Sequence, residues 1–456
     1  MKTYLNYFYE ISNVPRKPSN EEKIADYLVN FAKERNLKYF RDAINNVIIF
    51  KEASIGNEDK ELIILQSHMD MICEKELGVA HDFLTQGLDL YVDGDFLKAR
   101  GTTLGADDGI GVAYMLAILD SDIETPPLEC LFTVQEETTM NGARMIDSSK
   151  LMSNKIISFD CFSEDFMWVS SSNSKEWISK TKKEYENTPK DYVTYKLELK
   201  NFKGGHSGLD IGDETRVNPI KLAAELLKGY DVCINEVKGG SRVNIIPREF
   251  AITFSTKEKL DTLISKIEGY KIYGDITLSE IQFCEKCFSQ SLTKRLLDFV
   301  FYFKNGVCAY DDENNIILSA NMGAIEEDEC EILFKYSLRA NDKNLGEKLK
   351  TEIDTLMSKN GIEIKEYDEM AGYFPDMNNS LISKCSSVYK ECFGKDIKKI
   401  KTQACLECGF FAEKIKNLEY VAIAPNIYDA HSPNEKLSIS SADRMWGYVV
   451  KLLSSI

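Results

Sequence analysis

Short apolar runs separate longer amphipathic stretches along this chain, and the two periods divide it. In residues 20–34, Ile24, Leu28 and Phe31 recur at helical spacing. Ser19-Asn20-Glu21-Glu22 precedes them and reads as a capping box with Ser19 as N-cap. The next stretch, "LKYFRDAINNVIIFK", holds two alternating runs around Asn45-Asn46 and predicts a hairpin. From residue 61 the texture changes: "ELIILQ", "LECLFTV" (128–134) and "KIISFD" (155–160) are short apolar strand candidates. "GIGVAYMLAIL" (109–119) has the length and composition of a helix, and "GARMID" begins another. Such alternation predicts an α/β layer with a mostly parallel sheet.

Near residue 188 the pattern shifts again. "DYVTYKLELKNF", "REFAITFST" and "EILFKYSLRAN" alternate as strands, with helices at "NPIKLAAELLKGY" and "KLDTLISKIEGY" between them. This predicts an inserted α+β domain with an antiparallel sheet. After about residue 376 the α/β texture returns with the helix "SLISKCSSVYKECF" and the strand "LEYVAIAP". The expected organisation is one domain over 1–187 and 376–456, interrupted by a second over 188–375.

Length supports that division, because 456 residues exceed one core of ordinary size. Composition is that of a globular protein, at 43% hydrophobic and 28% charged. A formal net charge of -17 disfavours nucleic acid and anionic membranes, since their phosphates are repelled. The N-terminus has no apolar core followed by a cleavage site, so the twelve cysteines are expected as reduced thiols in the cytoplasm. Cys284/Cys287 and Cys405/Cys408 have zinc-site spacing, but over a hundred residues separate the pairs and no glycine-flanked knuckle surrounds them. Free thiols are the simpler reading.

Chemistry gathers where the α/β strands end. His68-Met69-Asp70 follows "LIILQS", Gly105-Ala106-Asp107-Asp108 precedes the 109–119 helix, and Glu136-Glu137 follows "LFTVQ". Asp160 ends "KIISF", and His431 follows "YVAIAPNIYD". Open α/β sheets build sites at the carboxyl ends of their strands, so five segments deliver His, Asp, Glu, Asp and His to one rim. Imidazole nitrogen with carboxylate oxygen suits a pair of zinc ions sharing a bridging carboxylate. In Glu136-Glu137, one carboxylate can bind metal while the other takes a proton from water. Singly each element has a blander reading: a satisfied structural histidine, a solvated acidic face, an N-cap. "LGADDGIG" also lacks the lysine of a phosphate loop. Their joint placement is what carries the metal reading.

The segments "PRKPSNEEKIADYL", "LQSHMDM", "TTLGADDGIGVA", "FTVQEETTMNGA", "NFKGGHSGLDIG", "VNIIPRE", "LECGFFAEKI" and "PNIYDAHSPNE" occur in that order. In this the chain resembles, nearly end to end, the aminoacyl-histidine dipeptidases, also called Xaa-His or cytosol non-specific dipeptidases, of the dinuclear zinc peptidases. The resemblance implies a zinc-peptidase catalytic domain with an inserted α+β lid domain. It also implies a cytoplasmic metallo-dipeptidase with two Zn2+ per chain, Co2+ or Mn2+ being alternatives. His68 and Asp160 would bind one zinc, Glu137 and His431 the other, and Asp107 would bridge them. Asp70 would orient His68, and Glu136 would be the general base. From the lid, His206 in "GGHSG" would stabilise the oxyanion, while Asn244 and Arg339 would hold the substrate carboxylate.

This chain departs from the family pattern at four places. Asp108 stands where Asn is common, Thr139 where Gly is expected, "SSSNS" (170–174) in place of a Gly-rich stretch, and Cys405 where Gly is usual. None removes an expected ligand. His81 matches no motif and is expected in a loop. The partner implied is a dipeptide, with no nucleic acid and no membrane. A homodimer is one assembly open to the chain. An aminoacylase or carboxypeptidase on the same scaffold, and a non-catalytic binding protein, are the rival readings.

Overall fold

The computed structural model describes residues 3–312 and 314–456. The chain forms two compact units. The first runs through Ser170 and resumes over Tyr373–Ile400 and Leu406–Ile456; the second comprises Ser171–Gly372 and Lys401–Cys405.

The first unit is built on an eight-stranded sheet. Its central strands Leu128–Thr133, Ile63–His68, Lys155–Ser158 and Glu419–Ala422 are mutually parallel. Every residue of Ile63–His68 and Leu128–Thr133 is buried, as expected when both faces of a parallel sheet are covered. Antiparallel strands flank this core, among them the predicted hairpin Tyr39–Arg41 with Val47–Lys51. The helix Ala106–Leu119 is apolar on all sides and buried along its whole length, packed on Tyr4–Ser12 and on Ile63–His68.

The capping box expected at Ser19 does not form. The helix spans Glu22–Glu34 without a side-chain cap, and Ser19 sits in the left-handed region at φ 66°. Glu21 is instead turned inward at 2% exposure, where it accepts the backbone N–H groups of Ser19 and Gln135. A buried acceptor for two backbone donors replaced the local cap.

The second unit carries a nine-stranded sheet whose described pairings are all antiparallel, from Asp275–Glu280 at one edge to Glu363–Met370 at the other. Helices Pro219–Leu227, Gln290–Tyr302 and Lys343–Lys359 contribute to its core around Trp177, Phe299 and Tyr336. Asn218 caps the first of these by accepting from Ile220 and Lys221 N–H, with Pro219 at its first turn. The boundary expected at 187/188 lies at 170/171, because the strand Asn173–Lys182 pairs along its length with Glu331–Ala340. The return to the first unit comes at Tyr373, three residues before the expected 376, and Lys401–Cys405 goes with the second unit. Among the described residues, no helix is long and apolar enough to cross a membrane.

Candidate metal centre and active site

Three adjacent parallel strands end at one rim. His68 is the last residue of Ile63–His68, and Asp160 lies two residues beyond Lys155–Ser158. After Leu128–Thr133, the chain turns through Gln135 at φ 56° and presents Glu136 and Glu137. Asp107 and Asp108 open the Ala106–Leu119 helix with non-helical backbone angles, and the peptide between them is cis. His431 does not come from the end of Glu419–Ala422, as the sequence pattern implied. It sits at φ 64° in the turn after the short strand Ile427–Tyr428, which belongs to a separate four-stranded sheet.

Asp107 is the centre of this cluster. Its Oδ1 lies 3.1 Å from His68 Nε2 and its Oδ2 lies 2.9 Å from His431 Nε2. Glu137 Oε2 is 3.2 Å from the same nitrogen of His431. Asp70 faces His68 Nδ1 at 3.7 Å, beyond hydrogen-bond length. Its two oxygens accept the backbone N–H groups of Glu136 and Glu137 at 3.1 and 3.2 Å.

Burial and opposite charges set the protonation of these groups. Burial opposes charge on His68, yet the carboxylates of Asp107 and Asp70 outweigh it and hold the imidazole well above its ordinary pKa. The same balance, with Asp107 and Glu137, pushes His431 up to about 11. Burial, then the charge of Asp107, raises Asp160 to about 7, and burial raises Glu136 well above the carboxylate range. Asp107 goes the other way: its burial is outweighed by His431 and His68, which keep it ionised.

Ligand atoms of His68, Asp107 and Glu137 all lie within 4.8 Å of one another. Glu137 Oε1 is buried and has no hydrogen-bond partner among the described residues. A buried carboxylate oxygen left orphaned beside two imidazoles is a donor set that fits a divalent cation.

Three further sequence-predicted residues lie in the second unit. Gly205–His206 pairs with Ile245–Ile246, and the Asn244 carbonyl accepts the N–H of Ser207 at 2.9 Å, so His206 and Asn244 share one ribbon. His206 Nδ1 accepts from Gly208 and Leu209 N–H, 3.2 Å each, which leaves the hydrogen of the neutral ring on Nε2. Arg339 is not a solvated strand residue: it is 5% exposed. Its Nη1 donates to the Gln403 carbonyl and to Cys405 Sγ, both at 3.2 Å. Cys405, one of the departures, therefore lies directly on this guanidinium. All twelve cysteines are free, so no disulfide forms among them.

A sequence profile of peptidase family M20/M25/M40 matches residues 64–455, spanning every residue of the cluster. The chain belongs to this peptidase family. It is 30% identical to the cytosol non-specific dipeptidase of Escherichia coli, over 98% of this chain and 96% of that one. The crystal structure of the aminoacylhistidine dipeptidase from Vibrio alginolyticus superposes with a TM-score of 0.88 at 30% identity, covering 99% of this chain and 96% of the other. A tripeptidase from Staphylococcus aureus, at 15% identity and TM-score 0.57 over 99% of this chain and 97% of its own, shares the fold.

The peptidase also buries three charged residues that sequence reasoning passed over. Arg16, at 2% exposure, donates to the carbonyls of Met69, Asp70 and Gly105. Gly105 has φ 65°, and a Cβ there would run into Arg16 Nη2, so only glycine fits the turn before Asp107. Glu407 accepts from Gln66 Nε2 at 2.6 Å and Thr133 Oγ1 at 2.7 Å, tying two strand ends, and its burial raises it to about 8. Glu435 accepts four consecutive backbone N–H groups of residues 104–107. The only local signal was a charge inside an otherwise apolar or glycine-rich segment, as with Glu407 between Leu406 and "CGFF".

Proposed function

We propose that this peptidase is a metallo-dipeptidase acting on dipeptides, Xaa-His peptides among them, in the cytoplasm. The observation that carries the reading is Asp107, whose two oxygens each face a different imidazole. In this reading His68, Asp107 and Asp160 would hold one zinc ion, and Asp107, Glu137 and His431 would hold a second, with Co2+ or Mn2+ able to substitute. Divalent ions bound there would lower the pKa of water towards ~7 and polarise the scissile carbonyl.

The chain's own residues do the rest. Glu136 takes a proton from the attacking water and delivers it to the leaving amine. Asp70 keeps the His68 ring in register and, through the two N–H groups it accepts, fixes the backbone that carries Glu136 and Glu137. The second unit is assigned the lid role. His206 donates from Nε2 to the developing oxyanion, and Arg339 with Asn244 holds the substrate's free carboxylate.

A panel of dipeptides, tripeptides and N-acyl amino acids, assayed side by side with metal content, tests the proposal. About two metals per chain, turnover confined to dipeptides, and its abolition by a chelator are expected. Turnover of N-acyl amino acids in preference to dipeptides would contradict it.

A further inference from the structure

We propose that Glu435 is a positioning residue for Asp107, gripping the backbone turn that aims both oxygens of that carboxylate. The inference rests on the reading of Asp107 as a metal ligand shared by two sites.

Glu435 is 2% exposed. Its Oε2 accepts from Leu104 and Gly105 N–H, each at 2.9 Å, and its Oε1 from Ala106 at 2.8 Å and Asp107 at 3.3 Å. These four donors lead into the helix Ala106–Leu119, Leu104 and Gly105 standing just before it, and backbone N–H groups at a helix start have no partner within the helix and favour a negative charge. The carboxylate comes from 328 to 331 residues away in sequence, so this is no local cap.

Glu435 also lies four residues after His431, in the segment between Ile427–Tyr428 and Lys436–Ser438. One loop therefore meets Asp107 twice. His431 faces its Oδ2 at 2.9 Å, and Glu435 holds its backbone N–H. From the other side Arg16 takes the carbonyls of Gly105 and of Met69 and Asp70. The turn bearing Asp107 and the strand end bearing His68 are thus locked to one guanidinium.

A capping carboxylate that only stabilised the fold would leave metal binding unchanged in a folded variant. Glutamine separates the two roles: its oxygen replaces one carboxylate oxygen, while its amide sets N–H against the other backbone pair and displaces the turn.

The full-length protein, its Glu435→Gln and Glu435→Asp variants, and Asp107→Ala are titrated with Co2+. The temperature is one at which circular dichroism finds all of them folded, and the visible spectrum and kcat/KM are followed. For Glu435→Gln we expect cobalt affinity weaker by ~10-fold or more, an altered spectrum, and activity that returns as free Co2+ is raised. If Glu435→Gln does not fold, Glu435→Asp, which keeps the charge but reaches less far, is read the same way. Wild-type cobalt affinity and spectrum in the folded variant would overturn the proposal. Full cobalt loading of Asp107→Ala would instead overturn the reading of Asp107 itself. Weak loading of Asp107→Ala beside unaltered Glu435 variants would overturn the role of Glu435 alone.

Discussion

His431 Nε2 lies 2.9 Å from Asp107 Oδ2, although 324 residues separate the two in the chain. The other oxygen of Asp107 is 3.1 Å from His68 Nε2. One buried carboxylate thus joins a strand end of the central sheet to a turn from the C-terminal region.

Asp70 is predicted to govern metal binding without being a ligand. Asparagine has one acceptor oxygen, so Asp70→Asn sets an amide N–H against the N–H of either Glu136 or Glu137 and removes the charge beside His68. Zinc affinity should fall by ~10–100-fold. Competition with a chromophoric chelator measures it, and an unchanged affinity would mean that the ligands are held by other contacts.

Metal affinity should rise with pH. In the metal-free protein His68 is held above its ordinary pKa, His431 is pushed up to about 11 and Asp160 to about 7. These groups carry protons at neutral pH that a cation must displace, so each proton released adds about one decade of affinity per pH unit. Binding titrations at pH 6, 7 and 8, with calorimetry in buffers of different ionisation enthalpy, read both the slope and the proton release. A flat profile would contradict the assignment of these groups as ligands.

Gly111 is predicted to be a packing requirement. A Cβ there would lie well inside contact with Ser67 Oγ, Phe159 Cβ and Asp108 Oδ1. Gly111→Ala should destabilise the protein by about 1–3 kcal/mol through overpacking. Urea unfolding of the metal-free form measures this, and no change in midpoint would indicate that the helix Ala106–Leu119 shifts freely.

What the sequence revealed follows from the range of each signal. His68, Glu136-Glu137 and Asp160 were legible because a fully buried strand is an unbroken apolar run and sites form at its carboxyl end. His431 was found for a partly different reason, since its turn follows Ile427–Tyr428 rather than the central strand. The edge of the inserted unit was misplaced because Asn173–Lys182 finds its partner in Glu331–Ala340, a pairing with no local trace. Ser19-x-x-Glu22 spelled a cap, but the burial of Glu21 against Gln135 N–H prevailed over it. Arg16 and Glu435 act on backbone carbonyls and N–H groups, which every sequence contains, so nothing at the partner's position marks them.

The Glu136→Gln variant tests the central claim most directly. Glutamine preserves shape and leaves His68, Asp107, Asp160, Glu137 and His431 untouched, but it cannot take a proton from water. Metal content should match that of the unaltered protein, with kcat on dipeptides lower by at least ~10²-fold. Near-unaltered kcat with metal bound would contradict the account.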